Sequence, residues 1–325
     1  MKTNALRTGL PASMLFAAAL LSPATGWTAA AWPDKPLRIV VPWAPGGSTD
    51  ILARLLGADL GKRLGQPVVI ENRAGAGSIV GMEFSAAMPP DGHNFMLTST
   101  GYGFIINKAK IDLVNSFAPV ALLGFGDSAL VVHPSLPVKT VKELIALAKR
   151  NPGSLNYSSS GIGGFPHLNT ELFKMMAGVD MAHVPFKGAG PAVADTVAGN
   201  TQVQIGSVPS VLGQVRAGRL RALGVGGPKR NPVLPDVPTI SESGLPGYET
   251  YIWFGLFAPR TTPASLVAQM HAAVNTSLES PDMFKRMDEQ GLEPARRSTA
   301  EFAKLMESET VKWAKVIKAA NIIGE

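Results

Sequence analysis

Apolar residues recur along the chain in two patterns that take turns. Residues 37–41 (LRIVV) are a short β-branched run ended by a Pro/Gly loop, which predicts a buried strand. Leu52, Leu56, Leu60 and Leu64, with Leu55 beside them, then recur at helical spacing until Gly65 and Pro67 stop the pattern. A strand over 68–71, a glycine loop over 74–78, a helix over 79–88, the turn PPDG at 89–92 and a strand over 95–98 follow. This βαβαβ order predicts a parallel sheet with right-handed crossovers.

A second series starts after an apolar run at 117–123. Strands are expected over 129–133, 156–158, 181–184, 203–205 and 221–225. Between them lie helices: one capped by Thr140 and carrying Val141, Leu144, Ile145 and Ala148, then 167–177, 192–198 and 212–217. Residues 226–247, rich in Pro and Gly, read as a connecting excursion. A strand over 251–257 (YIWFGLF) and helices over 263–278, 281–290 and 299–321 complete the chain. The stripes Leu266, Val267, Met270, Val274, Leu278 and Phe302, Leu305, Trp313, Ile317 read as core. Two α/β units are indicated.

Ahead of the first strand the pattern changes. Lys2 and Arg7 precede a short apolar run at 14–21 (MLFAAALL) and small residues at 28–31 (TAAA), which predicts a secretory signal over 1–30, cut near Ala30 or Ala31. Pro11, Pro23 and Gly26 keep that run well short of the roughly 20 residues a spanning helix needs. The mature chain is therefore expected to be soluble and outside the cytoplasm.

Composition narrows the chemistry. At 46% hydrophobic and 17% charged, 325 residues suffice for one large or two ordinary domains with real cores. The 34 glycines and 26 prolines show no repeat period, so they belong to loops between elements. No cysteine is present, which excludes disulfides, thiolate nucleophiles, Cys-based zinc sites and a lipoprotein anchor. Loss of Lys2 and Arg7 with the signal would bring the net charge from +6 to +4, without any Lys/Arg run. That does not suggest nucleic acid, while attraction to a small anion stays open.

Signatures of catalysis are missing: no G-x-S-x-G, S-x-x-K or H-E-x-x-H occurs, and the five histidines (His93, His133, His167, His183, His271) lack ligand spacing. No metal site and no cofactor are expected. GAGSIVG at 75–81 looks superficially like a dinucleotide fingerprint, but Glu71, Asn72 and Arg73 delay the turn and the next strand ends in hydroxyls rather than an acid. What does recur is a strand followed by a Gly/Ser/Thr loop that opens a helix, at 45–50 (PGGSTD), 74–78 (AGAGS) and 158–164 (SSSGIGG). Free N–H groups and the positive dipole end suit an anion there, and glycine admits it closely. Ordinary βα turns with Ser48, Thr49 or Asp50 as caps would share the pattern. Ser99 and Thr100 follow the third strand, Trp43 could wall a pocket or simply pack, and Phe186 with Lys187 puts a cation after a strand. His167 reads as a helix starter, and Asp50–Arg54 at i+4 and Arg73 as structural ion pairs.

These residues fall into ordered blocks. WPDKP at 32–36, IVVPWAPGG at 39–47 with Asp50, Ala53 and Arg54, ENRAGAG at 71–77 and PDG at 90–92 resemble the extracytoplasmic solute receptors of tripartite tricarboxylate transporters, the Bug proteins. YSSSG at 157–161, HVPFKG at 183–188 with GPA at 190–192, AGRLRAL at 217–223, LPDVPT at 234–239 and GLFAP at 255–259 with Thr262 and Pro263 resemble later blocks in the same order. The resemblance implies an α/β, two-lobed periplasmic binding protein of type II-like fold, each lobe a mostly parallel sheet flanked by helices, joined by a strand hinge near 117–125 and 251–258. Residues 31–124 and 250–325 would form lobe 1 and 125–249 lobe 2.

The family implies a periplasmic receptor without catalysis, acting as a monomer, that closes on a small carboxylic acid and delivers it to membrane permease subunits. A sensor that passes its bound state to a signalling partner, or a secreted α/β hydrolase or dehydrogenase, are the alternative readings. In the family the carboxylate is held by loops matching 43–50 and 158–164. The expected ligand-binding set is Trp43, Gly47, Ser48, Thr49, Asp50, Ser99, Thr100, Ser159, Ser160, Gly161, Gly163, Phe186, Lys187 and Ser207. Trp43 replaces a phenylalanine common in the family, and Gly206–Ser207 stands where many members have Phe-Asp. Without that acid a ligand ammonium loses a partner, which points to plain mono- or dicarboxylates, including aromatic ones.

Overall fold

Strands alternate with helices as the periodicity predicts, and their order is now explicit. The computed structural model describes residues 1–3, 32–106, 108–319 and 321–322, so the expected signal over 1–30 lies almost wholly outside the described residues. The chain runs β1 (Leu37–Val41), α1 (Ser48–Leu64), β2 (Val68–Asn72), α2 (Ile79–Ala86), β3 (Asn94–Ser99), α3 (Gly103–Ile106) and β4 (Phe117–Val132). It continues α4 (Val141–Arg150), β5 (Asn156–Ser159), α5 (Phe165–Ala177), β6 (Ala182–Pro185), α6 (Ala189–Ala198), β7 (Val203–Ser207), α7 (Val208–Arg216) and β8 (Arg221–Val225). Last come β9 (Tyr251–Pro259), α8 (Ala264–Leu278), α9 (Pro281–Asp288), β10 (Leu292–Pro294) and α10 (Thr299–Ala319). No helix among the described residues is long and apolar enough to cross a membrane.

The strands join in the order β2-β1-β3-β9-β4-β7-β5-β6, with β8 and β10 also paired to β4. β1 pairs in parallel with β2 and β3, as the βαβαβ pattern predicts, and β5 in parallel with β6 and β7. β4 and β9 run antiparallel to their neighbours. Along β4 the partner changes: residues up to Asp127 pair with β9, and Ser128 onward with β7 and β8. One strand thus belongs to both halves of the sheet.

Helices cover both faces of the second half, which is why its strands are apolar on both sides. Leu130 and Val132 of β4 with Val203 and Ile205 of β7 pack under α4 and α5, while Ala129 and Val131 meet Val193, Val208, Val211 and Leu212 of α6 and α7. In the first half Trp253, Phe257 and Phe117 join Phe302, Met306, Trp313 and Ile317 of α10. α1 buries Leu52, Leu56 and Leu60 completely, each side chain contributing about 1.5–3 kcal/mol.

Two expectations need correction. The runs at 117–123 and 129–133 are one strand, β4, and the three-residue β10 was not foreseen. Gly124 and Gly126 interrupt the apolar pattern and imitate a break. In the fold Gly124 is instead where β10 approaches, since a Cβ there would overlap the carbonyl oxygen of Glu293.

Candidate functional site

At the end of β1 the chain turns through Trp43 and Gly46 into α1, whose N-cap is Gly47, a residue with no side chain to offer the first turn. Asp50, in that turn, points back. Its carboxylate accepts from the Gly46 N–H at 3.0 Å, from Arg54 at 2.9 and 3.1 Å and from Asn72 Nδ2 at 3.0 Å, while the same Nδ2 donates to the Trp43 carbonyl at 3.0 Å. Burial alone would raise its pKa. The Arg54, Gly46 and Asn72 hydrogen bonds outweigh that and hold the carboxyl below the ordinary range. Asp50 is therefore an ionised brace for the loop.

Three helices of the second half begin nearby in the same way. α5 starts after Gly164 and α6 after Gly188, neither with a side-chain cap. α7 starts at Ser207, whose hydroxyl does not cap its own helix but donates to Ser48 Oγ at 2.9 Å, on the other half of the sheet. Other links cross at the same place: Ala44 N–H to the Lys187 carbonyl at 3.1 Å, and Tyr102 N–H to the Gly163 carbonyl at 2.8 Å. Gly190 must be glycine for this approach, because a Cβ there would overlap the carbonyl oxygen of Pro45.

Between these helix starts lies a cavity of about 30 Å³, room for about two waters. α1 contributes Gly47, Ser48 and Thr49, α5 Phe165 and Pro166, α6 Ala189, and α7 its cap Ser207. Trp43, Ser99, Thr100, Ser160 and Ile252 complete the lining, and no charged side chain is among them. Thr49 Oγ1 and Ser99 Oγ are 2.8 Å apart, and the Thr100 hydroxyl accepts from the Trp253 N–H at 3.0 Å, leaving its own proton free to donate. Such a surface of neutral donors at positive helix ends can hold an anion, but it contains no general base, acid or activated nucleophile.

His167 of α5 belongs to a stack of rings with residues of β5 and β6. The rings of His167 and His183 lie 4.1 Å apart and nearly parallel, with Tyr157 stacked on His183 at 4.8 Å. His167 Nδ1 accepts from the Gly163 N–H at 3.0 Å, and Ser159 Oγ lies 2.6 Å from His183 Nε2. Burial lowers the His167 pKa to about 4, with Lys174 adding to the effect. Burial, then His167, lowers His183 to about 3 over an opposing pull from Glu171, with Lys174 adding the least. Both rings are neutral at physiological pH.

Of the expected residues, the structure brings eight together around the cavity: Trp43, Gly47, Ser48, Thr49, Ser99, Thr100, Ser160 and Ser207. The other six are not in its lining. Asp50 braces its loop, Ser159 and Gly161 bond within theirs, and Gly163 links to Tyr102 and His167. Phe186 is bonded to Ser159, and Lys187 is exposed with only its carbonyl engaged toward Ala44. Sequence reasoning missed Phe165, Pro166, Ala189 and Ile252. A proline two residues after a glycine run marks a helix start and could have found the first two; nothing in the apolar run of β9 singles out Ile252.

Residues 52–322 match the family described as tripartite tricarboxylate transporter family receptor. BugT of Bordetella pertussis is 32% identical over 292 residues, covering 88% of this chain and 90% of BugT. A Rhodopseudomonas palustris protein solved with adipate superposes with a TM-score of 0.86 at 37% identity, over 90% of this chain and 99% of that one. MatC from the same organism, solved with bound malate, gives a TM-score of 0.84 at 33% identity over 88% of this chain and all of MatC. The fold is the two-lobed α/β fold of periplasmic binding proteins, shared with BugD, a periplasmic binding protein that superposes with a TM-score of 0.86 at 29% identity over 90% of this chain and 100% of that one.

Proposed function

The chain belongs to the tripartite tricarboxylate transporter receptor family, the Bug proteins, and on that premise we propose that it captures a small carboxylic acid between two lobes and hands it to the membrane subunits of such a transporter. The observation that carries the reading is the meeting of four helix starts without side-chain caps around a cavity that no charged side chain lines. One carboxylate would take up N–H groups and hydroxyls that the fold leaves to it. Adipate and malate on two neighbours of similar fold support the ligand class.

In this reading residues 31–124 with 250–325 form one lobe, residues 125–249 the other, and both close over the ligand about β4 and β9. The expected signal over 1–30 would send the chain to the periplasm, where it acts as a monomer. The ligand is a mono- or dicarboxylate, aliphatic or aromatic, rather than an amino acid, because an ammonium group would find no carboxylate in the lining. The role assigned to the protein is binding, without chemistry.

A thermal-shift screen of residues 31–325 against mono- and dicarboxylates tests this, since a ligand that binds only the native state raises Tm. At least one acid should raise it and the matching amino acid should not. A folded protein whose Tm no carboxylate moves would overturn the proposal.

A further inference from the structure

One residue of the cavity lining has a buried side-chain polar atom that no described residue answers. It is Nε1 of Trp43, on a side chain only 6% exposed. The neighbours of the ring locate that atom. A Cβ built on Gly101 would stand 2.8 Å from Cζ2 of Trp43 and 3.1 Å from Cη2, and 3.7 Å from the Ser99 carbonyl oxygen. Cζ2 is bonded to the ring carbon that carries Nε1, so the part of the ring next to the N–H packs at the β3 exit, where Ser99 and Thr100 line the cavity.

An N–H kept dry without an acceptor is unfavourable, and native folds leave few of them. Beside a cavity for an acceptor-rich ligand the natural partner is the ligand itself. Trp43 lies before the α1 start with its ring at the β3 exit, where Thr49 of α1 also meets Ser99. A carboxylate takes about four hydrogen bonds, which the first-turn N–H groups and hydroxyls of α1 with the Thr100 hydroxyl suffice to supply, so the Trp43 N–H calls for a second acceptor group on the same molecule.

We propose that Trp43 is a specificity-determining residue whose indole N–H donates to a second acceptor on the ligand, a hydroxyl, oxo or second carboxylate oxygen, so that the site prefers bifunctional acids to plain monocarboxylates. The inference rests on the carboxylate-receptor reading above and narrows its substrate class.

The test uses residues 31–325 and the Trp43→Phe variant, which keeps an aromatic ring and removes the donor. Calorimetry compares adipate with hexanoate and malate with butyrate. The wild type should bind the bifunctional member of at least one pair more tightly, and Trp43→Phe should weaken that member by about tenfold or more while leaving its monocarboxylate within about twofold. In ¹⁵N-tryptophan-labelled protein the indole resonance that vanishes in the variant should shift on adding the bifunctional acid and stay in place with its monofunctional counterpart. Equal loss for both members of a pair, or none, would assign Trp43 to packing and overturn the inference alone. A wild type that prefers the monocarboxylates also overturns it alone, as does one that binds none of the four acids while the thermal-shift screen finds another carboxylate; if no acid of that screen binds either, the carboxylate reading falls with it. Should the variant not fold, the wild-type indole resonance decides, and its failure to move overturns the inference.

Discussion

The helix starts of this protein fall into two groups. Away from the cavity, α4, α9 and α10 are closed by hydroxyl caps: Thr140 accepts from the Glu143 N–H, Ser280 from the Met283 N–H and Ser298 from the Glu301 N–H, each at 3.2 Å. Around the cavity, α1, α5, α6 and α7 have no such cap, even where Ser207 could supply one. A cap meets one of the donors that every helix start leaves over and is worth about 1 kcal/mol. Withheld at four starts that share one cavity, the same donors become available to a ligand. α2 and α8 also lack side-chain caps but contribute nothing to the lining, so the missing cap acquires meaning only where several starts converge.

The strongest way to break this contrast is to cap a helix that lacks a cap. Gly47→Asp puts a carboxylate on the first turn of α1; Gly47 has φ −84°, open to any residue, and a Cβ there meets Ala189 Cβ at a tight but yielding 3.2 Å. The added carboxylate would occupy the donors and repel the ligand, so affinity should fall by several kcal/mol while Tm holds or rises. Calorimetry with the acid found by thermal shift checks it; a variant that binds as well as wild type would mean that the α1 start is not the anion site. Ser48→Ala and Thr49→Ala should weaken binding less, by about 1–3 kcal/mol each. An unchanged Kd would reassign that hydroxyl to its bond with Ser207 or Ser99.

The same contrast explains what could be read from the chain. Thr140 was legible as a cap because Val141, Leu144 and Ala148 begin the apolar stripe of α4 immediately after it. In α1, α5, α6 and α7 the stripe begins late: it is read from Leu52, His167, Ala192 and Leu212, whereas the helices start at Ser48, Phe165, Ala189 and Val208. Their first turns face the cavity or its rim, where core periodicity has no reason to hold. Hence glycine and hydroxyl residues revealed seven of the twelve lining residues and Trp43 an eighth, while Phe165, Pro166 and Ala189 stayed hidden. β4 and β10 were obscured for another reason, since the glycines that admit β10 read locally as a loop.

Acid should separate the two regions next. Unfolded histidine titrates near 6.5, whereas His167 and His183 in the fold titrate at about 4 and about 3. Between those values and 6.5 the unfolded chain binds more protons than the folded one, so stability rises with pH across this window and is lost as pH falls below 6.5, by up to about 1.4 kcal/mol per pH unit for each ring. Asp50, lowered in the fold, adds a loss only at lower pH, below the ordinary carboxylate range. Denaturant titrations from pH 7.5 to 4.5 should show the slope, reduced in His183→Gln. Affinity should stay flat from pH 6.5 to 8 because no titratable side chain lines the cavity. A strong pH dependence of Kd in that range would place an ionising group at the ligand.

The smallest effect completes the comparison. Thr140→Ala removes a cap that accepts from Glu143 N–H on a helix whose N-terminus lies outside the cavity lining, and Glu143 Oε2 in turn accepts from the Lys139 N–H at 2.6 Å. Losing that reciprocal pair should cost about 1 kcal/mol of stability and leave Kd unchanged. Combined with Ser48→Ala, each effect should persist unchanged, since sites without shared partners are independent. Ser48→Ala then moves Kd with little change in Tm, and Thr140→Ala moves Tm with no change in Kd. If instead Thr140→Ala weakened binding as much as Ser48→Ala does, capped and uncapped starts would be one cooperative scaffold, and the division of labour between them would fail.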